Sequence, residues 1–151
     1  MFGVLLLLLL YQSTAESTTI TQTKRGWGAF YPWPASGKIK IRSTCSAGLP
    51  GVNLRFYRGG SWGGAIYWST NDNQLRIYCT DAAPYYTEYP FTHDFGGGYV
   101  TLTIQLTADE MQVWNKGVKI AGITRDGRCG EQPDQWRIYL YSGSVTATDG
   151  G

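Results

Sequence analysis

Residues 99–120 read YVTLTIQLTADEMQVWNKGVKI, and their pattern decides the fold class. Val100, Leu102, Ile104 and Leu106 alternate with Thr101, Thr103 and Gln105, the period of two expected of a strand with one buried face. Thr107 followed by Glu110 matches a helix capping box, but only residues 111–114 then precede Asn115-Lys116-Gly117, too few for a helix. Asn115 and Gly117 are expected to supply the positive φ of a tight hairpin, after which Val118 and Ile120 open a third alternating run. The stretch predicts a three-stranded antiparallel meander.

Outward from it, the chain breaks into short alternating runs separated by turn residues. Ile39 and Ile41 alternate with Lys38, Lys40 and Arg42; Val52, Leu54 and Phe56 form one face, with Asn53, Arg55 and Tyr57 on the other. RGGSWGG, residues 58–64, reads as a hairpin connection with Trp62 at its tip. Its Gly59-x-Ser61-x-Gly63 matches a hydrolase nucleophile elbow, yet no helix follows, no βαβ pattern surrounds it, and His93 is the sole histidine. Residues 65–68 and 74–80 make another hairpin around Asn71-Asp72-Asn73. Residues 81–92 read as aromatic and irregular, 124–135 as a polar connection holding Cys129, and 136–141 with 145–148 as a closing hairpin through Ser142-Gly143-Ser144. GWGAFYPWP, residues 26–34, reads as an arm across the domain, because Pro32 and Pro34 forbid a central strand. Nine or ten short strands joined by turns predict an all-β, antiparallel two-sheet β-sandwich of the jelly-roll kind. A lipocalin-like barrel is the alternative, prompted by Gly26-Trp27-Gly28, but no C-terminal helix accompanies it.

Over its 151 residues the sequence predicts a signal peptide (1–15), a possible propeptide (16–25) and a single domain (26–151). The apolar run at residues 2–10 falls short of the ~20 residues that span a bilayer, so no stable membrane anchor is expected, and Ser13-Thr14-Ala15 offers the small residues a signal peptidase requires. Lys24-Arg25 is a dibasic cleavage pair; an N-terminal extension retained in the mature chain is the alternative. Without Lys24, Arg25 and Glu16, the 13 basic and 11 acidic residues fall to 11 and 10, a balance that argues against nucleic acid as a partner. Cys45, Cys79 and Cys129 in a secreted chain predict one disulfide, of undetermined pairing, and one odd thiol available to link a homodimer. The cysteines are far apart and accompanied by one histidine, so neither a metal nor another cofactor is expected.

Tyr89-Pro90-Phe91, a Gly-rich spacer, the meander, Arg125 and the run from Ile138 through Val145 together resemble the galectins, the animal lectins of β-galactosides, over residues 74–148. The resemblance implies a concanavalin-like sandwich and a glycan or glycoconjugate ligand. Galectins present H-x-N-x-R, V-x-N and W-x-x-E-x-R on three strands. Here the first slot falls near Trp68, Asn71 and Asp72 with no His or Arg, and the second on Arg76 and Thr80 without the Asn. The third keeps Tyr85-x-x-Glu88, with Tyr for Trp and Pro90 where Arg stands. These departures imply a glycan other than galactose, or weaker binding, because the missing donors select hydroxyl stereochemistry.

Trp68, Asn71, Arg76, Tyr85 and Glu88 are therefore the candidate carbohydrate-binding residues, rings to stack on a sugar face and polar groups to bond its hydroxyls, lining a groove on the sheet opposite the meander. The plainer reading of each ring is cross-strand or core packing. No catalytic residue is expected: the acidic residues sit singly in turns, and a glycosidase needs two carboxylates about 5 to 10 Å apart. A secreted lectin-like module without catalysis is the first expectation. The Trp and Tyr content makes a toxin or membrane-active protein the second, and the Gly-aromatic loops make a matrix protein the third.

Overall fold

The computed structural model describes residues 19–44, 50–69, 74–79, 86–90 and 99–151. They form thirteen strands, β1 (Ile20–Gln22), β2 (Gly26–Trp27), β3 (Tyr31–Pro32), β4 (Lys38–Thr44), β5 (Pro50–Arg58), β6 (Ser61–Ser69), β7 (Gln74–Cys79), β8 (Tyr86–Pro90), β9 (Val100–Leu106), β10 (Glu110–Asn115), β11 (Val118–Thr124), β12 (Gln135–Leu140) and β13 (Ser144–Asp149), and one short helix, α1 (Gly127–Gly130). One sheet has the order β1-β13-β4-β9-β10-β11. The other runs β2-β12-β5-β6-β7-β8, with β3 also on β12. Every pairing is antiparallel, so the fold is the expected two-sheet jelly-roll sandwich.

Alternation builds the core. Ile39, Ile41, Leu102, Ile104, Val113 and Ala147 point inward from the first sheet, and Val52, Leu54, Ile66, Leu75, Ile77 and Leu140 from the second, all fully buried. The meander forms as predicted, β9 pairing β10 and β10 pairing β11. Thr107 acts as a turn residue rather than a helix cap: its Oγ1 accepts the Glu110 amide at 3.0 Å. Positive φ in the second turn falls on Lys116 (49°) and Gly117 (77°), not on Asn115, because these are the two central positions of a two-residue hairpin.

Several expectations change. Residues 86–90, read as irregular, form edge strand β8 against β7. β12 and β13 are not a hairpin: β12 pairs β5 in one sheet and β13 pairs β4 in the other, so residues 141–143 carry the chain between layers. The chain also adds an edge strand before residue 26, Ile20–Gln22 pairing with β13. The proline-rich arm does stay at an edge, as β2 and β3 on β12. Cys79 and Cys129 form the disulfide, tying β7 to α1, while Cys45 lies outside the described residues.

Candidate functional site

A strand with one buried face leaves every second residue outside, and on the seven-stranded sheet those residues fall into register across six strands. Trp27 pairs with Tyr139, Tyr139 with Asn53, Asn53 with Tyr67, Tyr67 with Arg76 and Arg76 with Glu88. Their side chains make a nearly continuous ribbon. Trp27 meets Tyr139 edge-on with ring centroids 5.1 Å apart, Tyr139 meets Tyr141 at 4.6 Å, and Tyr141 meets Tyr67 at 5.8 Å. The Arg76 guanidinium lies 5.6 Å from the Tyr67 ring centre, and its Nε donates to Glu88 Oε1 at 2.8 Å. With side chains 24% and 39% exposed, this ion pair is worth at most about 1 kcal/mol of stability. Its effect is positional: it holds a carboxylate and a guanidinium in fixed orientation at one end of a row of rings.

A second band lies one step along the strands, where Arg137 pairs with Arg55 across β12 and β5. Arg137 stacks 4.0 Å from the Trp27 ring centre and 4.4 Å from Phe30, and its Nε donates to the Tyr57 hydroxyl at 3.0 Å. Arg55 lies 4.9 Å from Trp27 and 4.7 Å from Trp62. Two polar atoms on this face are buried without a hydrogen-bond partner, Asn53 Oδ1 and Arg55 Nε. Among the described residues, Glu88 is the carboxylate that these outward positions carry. On the other sheet, the Lys119 ammonium, followed by the Gln112 amide, holds Glu110 below the usual carboxylate range, and Ser36 followed by the Gly151 amide does so for Asp149.

Of the residues singled out from sequence, Arg76 and Glu88 are brought together on this face. Trp68 is not: it is fully buried in the core, and its Nε1 donates to Ser43 Oγ at 3.0 Å. The cause is an irregularity on β6, where Phe56 pairs with Gly64 but Tyr57 pairs with Trp62. The extra residue reverses the alternation, so Trp62, which lies within β6 and not at the hairpin tip, faces out while Trp68 faces in. Asn71 and Tyr85 lie outside the described residues. The residues that sequence reasoning missed, Trp27, Tyr67, Tyr139 and Arg137, sit on strands whose parity is legible; the order of strands, which aligns them, is not.

No protein-family model and no curated protein sequence matches the chain. Solved structures do match in shape. A tetrameric galectin from the ball sponge Cinachyrella sp. superposes with TM-score 0.55 at 13% identity, covering 87% of this chain and 99% of the galectin. The fold is galectin-like. The galectin-like sandwich is also shared with enzymes. Exo-inulinase from Aspergillus awamori gives TM-score 0.67 at 14% identity over 91% of this chain, which spans only 29% of the enzyme. The β-glucanase of Bacillus licheniformis gives 0.55 at 11% identity, over 88% of this chain and 75% of that one. Of the three galectin-like sequence slots, the described residues fall on the adjacent strands β6, β7 and β8.

Proposed function

We propose that the protein is a secreted, lectin-like module that binds a glycan on the outward face of the seven-stranded sheet without chemically changing it. The aligned ribbon from Trp27 to Glu88 carries this reading. A pyranose has an apolar face that packs on an aromatic ring and hydroxyls that take directional bonds; Tyr67 and Tyr139 offer rings, while Arg76 donates and Glu88 accepts. The galectin-like fold supports a sugar ligand. Secretion rests on the signal-type residues 1–15 and is compatible with the Cys79–Cys129 disulfide.

A glycan array probed with the secreted protein is expected to give specific binding. Glu88→Ala or Tyr67→Ala is expected to weaken it by about 1 to 3 kcal/mol while leaving the fold intact, because each removes a partner from groups desolvated by the sugar. Variants that fold and bind like wild type would move the site elsewhere. The glycosidases among the structural neighbours make hydrolysis the second reading. The single described carboxylate on the face, already engaged by Arg76, favours binding over a two-carboxylate mechanism. Release of reducing ends from a panel of oligosaccharides would reverse that preference.

A further inference from the structure

We propose that the outward face carries a second, anion-selecting subsite at Arg55 and Arg137, so that the preferred glycan bears a carboxylate or sulfate group; this rests on the glycan-binding reading above. The two arginines are direct cross-strand partners on one face. Like charges so placed repel each other, and neither forms an ion pair with any described carboxylate. Instead both are walled by rings: Trp27 contacts both, Phe30 contacts Arg137, and Trp62 contacts Arg55. Aromatic faces orient a guanidinium and strip part of its water, but they do not neutralise it. The pair is thus held ready for a counter-charge that no described residue supplies.

The unpartnered atoms point the same way. Buried polar groups in folded proteins nearly always have partners, yet Arg55 Nε lacks an acceptor and Asn53 Oδ1, two residues away on the same face, lacks a donor. Both atoms are closed to solvent in this structure, so an acidic sugar would supply the two complements, an anionic oxygen for the guanidinium and a neighbouring hydroxyl for the amide oxygen, as the rings covering them turn aside on binding. Ordinary arginine stacking would explain either residue alone. It does not explain two facing arginines with an orphaned donor and an orphaned acceptor beside them.

The test compares matched charged and neutral ligands by calorimetry: a hyaluronan hexasaccharide against its carboxyl-reduced form, and dextran sulfate against dextran. The charged member of at least one pair is expected to bind about tenfold tighter or more, and which pair shows it distinguishes carboxylate from sulfate. That preference should shrink as salt rises from low to high, and Arg55→Gln or Arg137→Gln should bring the charged-to-neutral ratio towards one. Equal affinity within both pairs, or a ratio unchanged in folded Gln variants, overturns the proposal. If a Gln variant does not fold, the wild-type ratio and its salt dependence decide. If no saccharide binds, the lectin reading fails. Titration with inorganic sulfate then decides the anion site, a saturable change in tryptophan fluorescence at Trp27 and Trp62 supporting it and its absence overturning it as well.

Discussion

Trp68 shows how much one indole can hold together. It is fully buried, and its N–H serves Ser43, the buried polar side chain of the opposite layer. Trp68→Phe removes that donor and leaves the Ser43 hydroxyl unpaired, an expected loss of about 1 to 3 kcal/mol; Trp68→Ala adds a cavity, for about 3 to 5 kcal/mol. Urea unfolding measures both. Glu110 gives a pH prediction. Its carboxyl is held low chiefly by Lys119, whose Nζ lies 2.5 Å from Oε1. The folded pKa is therefore below the unfolded one, so the unfolded chain binds more protons in that interval. The stabilisation is complete well above the ordinary carboxylate value of 4.5 and is lost as pH falls through the folded value. Lys119→Ala should flatten the acid limb of a plot of denaturation midpoint against pH; an unchanged limb would mean that this exposed pair contributes nothing. Asp149 and Ser36 carry the same sign. At this scale the sequence was legible wherever simple alternation held, as at Asn53 and Arg55. It failed at Trp68 because a one-residue irregularity is invisible without the partner strand.

Among the elements, the β10–β11 turn sets the register of the meander. Lys116 occupies left-handed space at φ 49°, where a side chain is disfavoured, so Lys116→Asn should stabilise by a few tenths to about 1 kcal/mol. Gly117→Ala, at φ 77°, should cost about 1 to 2 kcal/mol. Thermal unfolding of the two variants should move the midpoint in opposite directions. Gly64 on β6 is constrained by space instead. A Cβ there would sit 2.7 Å from the Met111 methyl and 3.0 Å from the Tyr78 carbonyl oxygen, so Gly64→Ala is expected to lose about 1 to 3 kcal/mol through overpacking. The hairpins around the meander were legible because Asn-Lys-Gly and Thr-Ala-Asp-Glu are turn chemistry between two clean alternations. The β12–β13 corner was not. A short Ser-Gly-Ser link between alternating runs suits a hairpin and a layer crossing equally, and what separates them is which partners are nearer, Gly51 and Thr44 on different layers.

For the molecule as a whole, the Cys79–Cys129 bond closes a 50-residue separation that contains β8 through β11. Loop-closure entropy puts its stabilisation at about 4 kcal/mol, to be read from the unfolding of the Cys79→Ala, Cys129→Ala double variant. Cysteine number predicted one bond, but pairing depends on distance in the folded chain, which three widely spaced residues do not encode. The galectin-like architecture was legible in residues 74–148, whereas the row that crosses the sheet was not, since its members come from Trp27 at one end of the chain and Tyr139 near the other. The edge formed by β1 has a mechanical consequence. Ile20 lies opposite Ala147 and Gln22 opposite Val145, so the chain enters β1 and leaves β13 on the same side of the sandwich. Tension applied through those two ends pulls across the ladder at one end and parts its three pairs in turn, as a zipper opens, instead of shearing them together. A single molecule stretched in an optical trap should release this strand first, at low force, with Lys24-Arg25 drawn out into the lengthened tether.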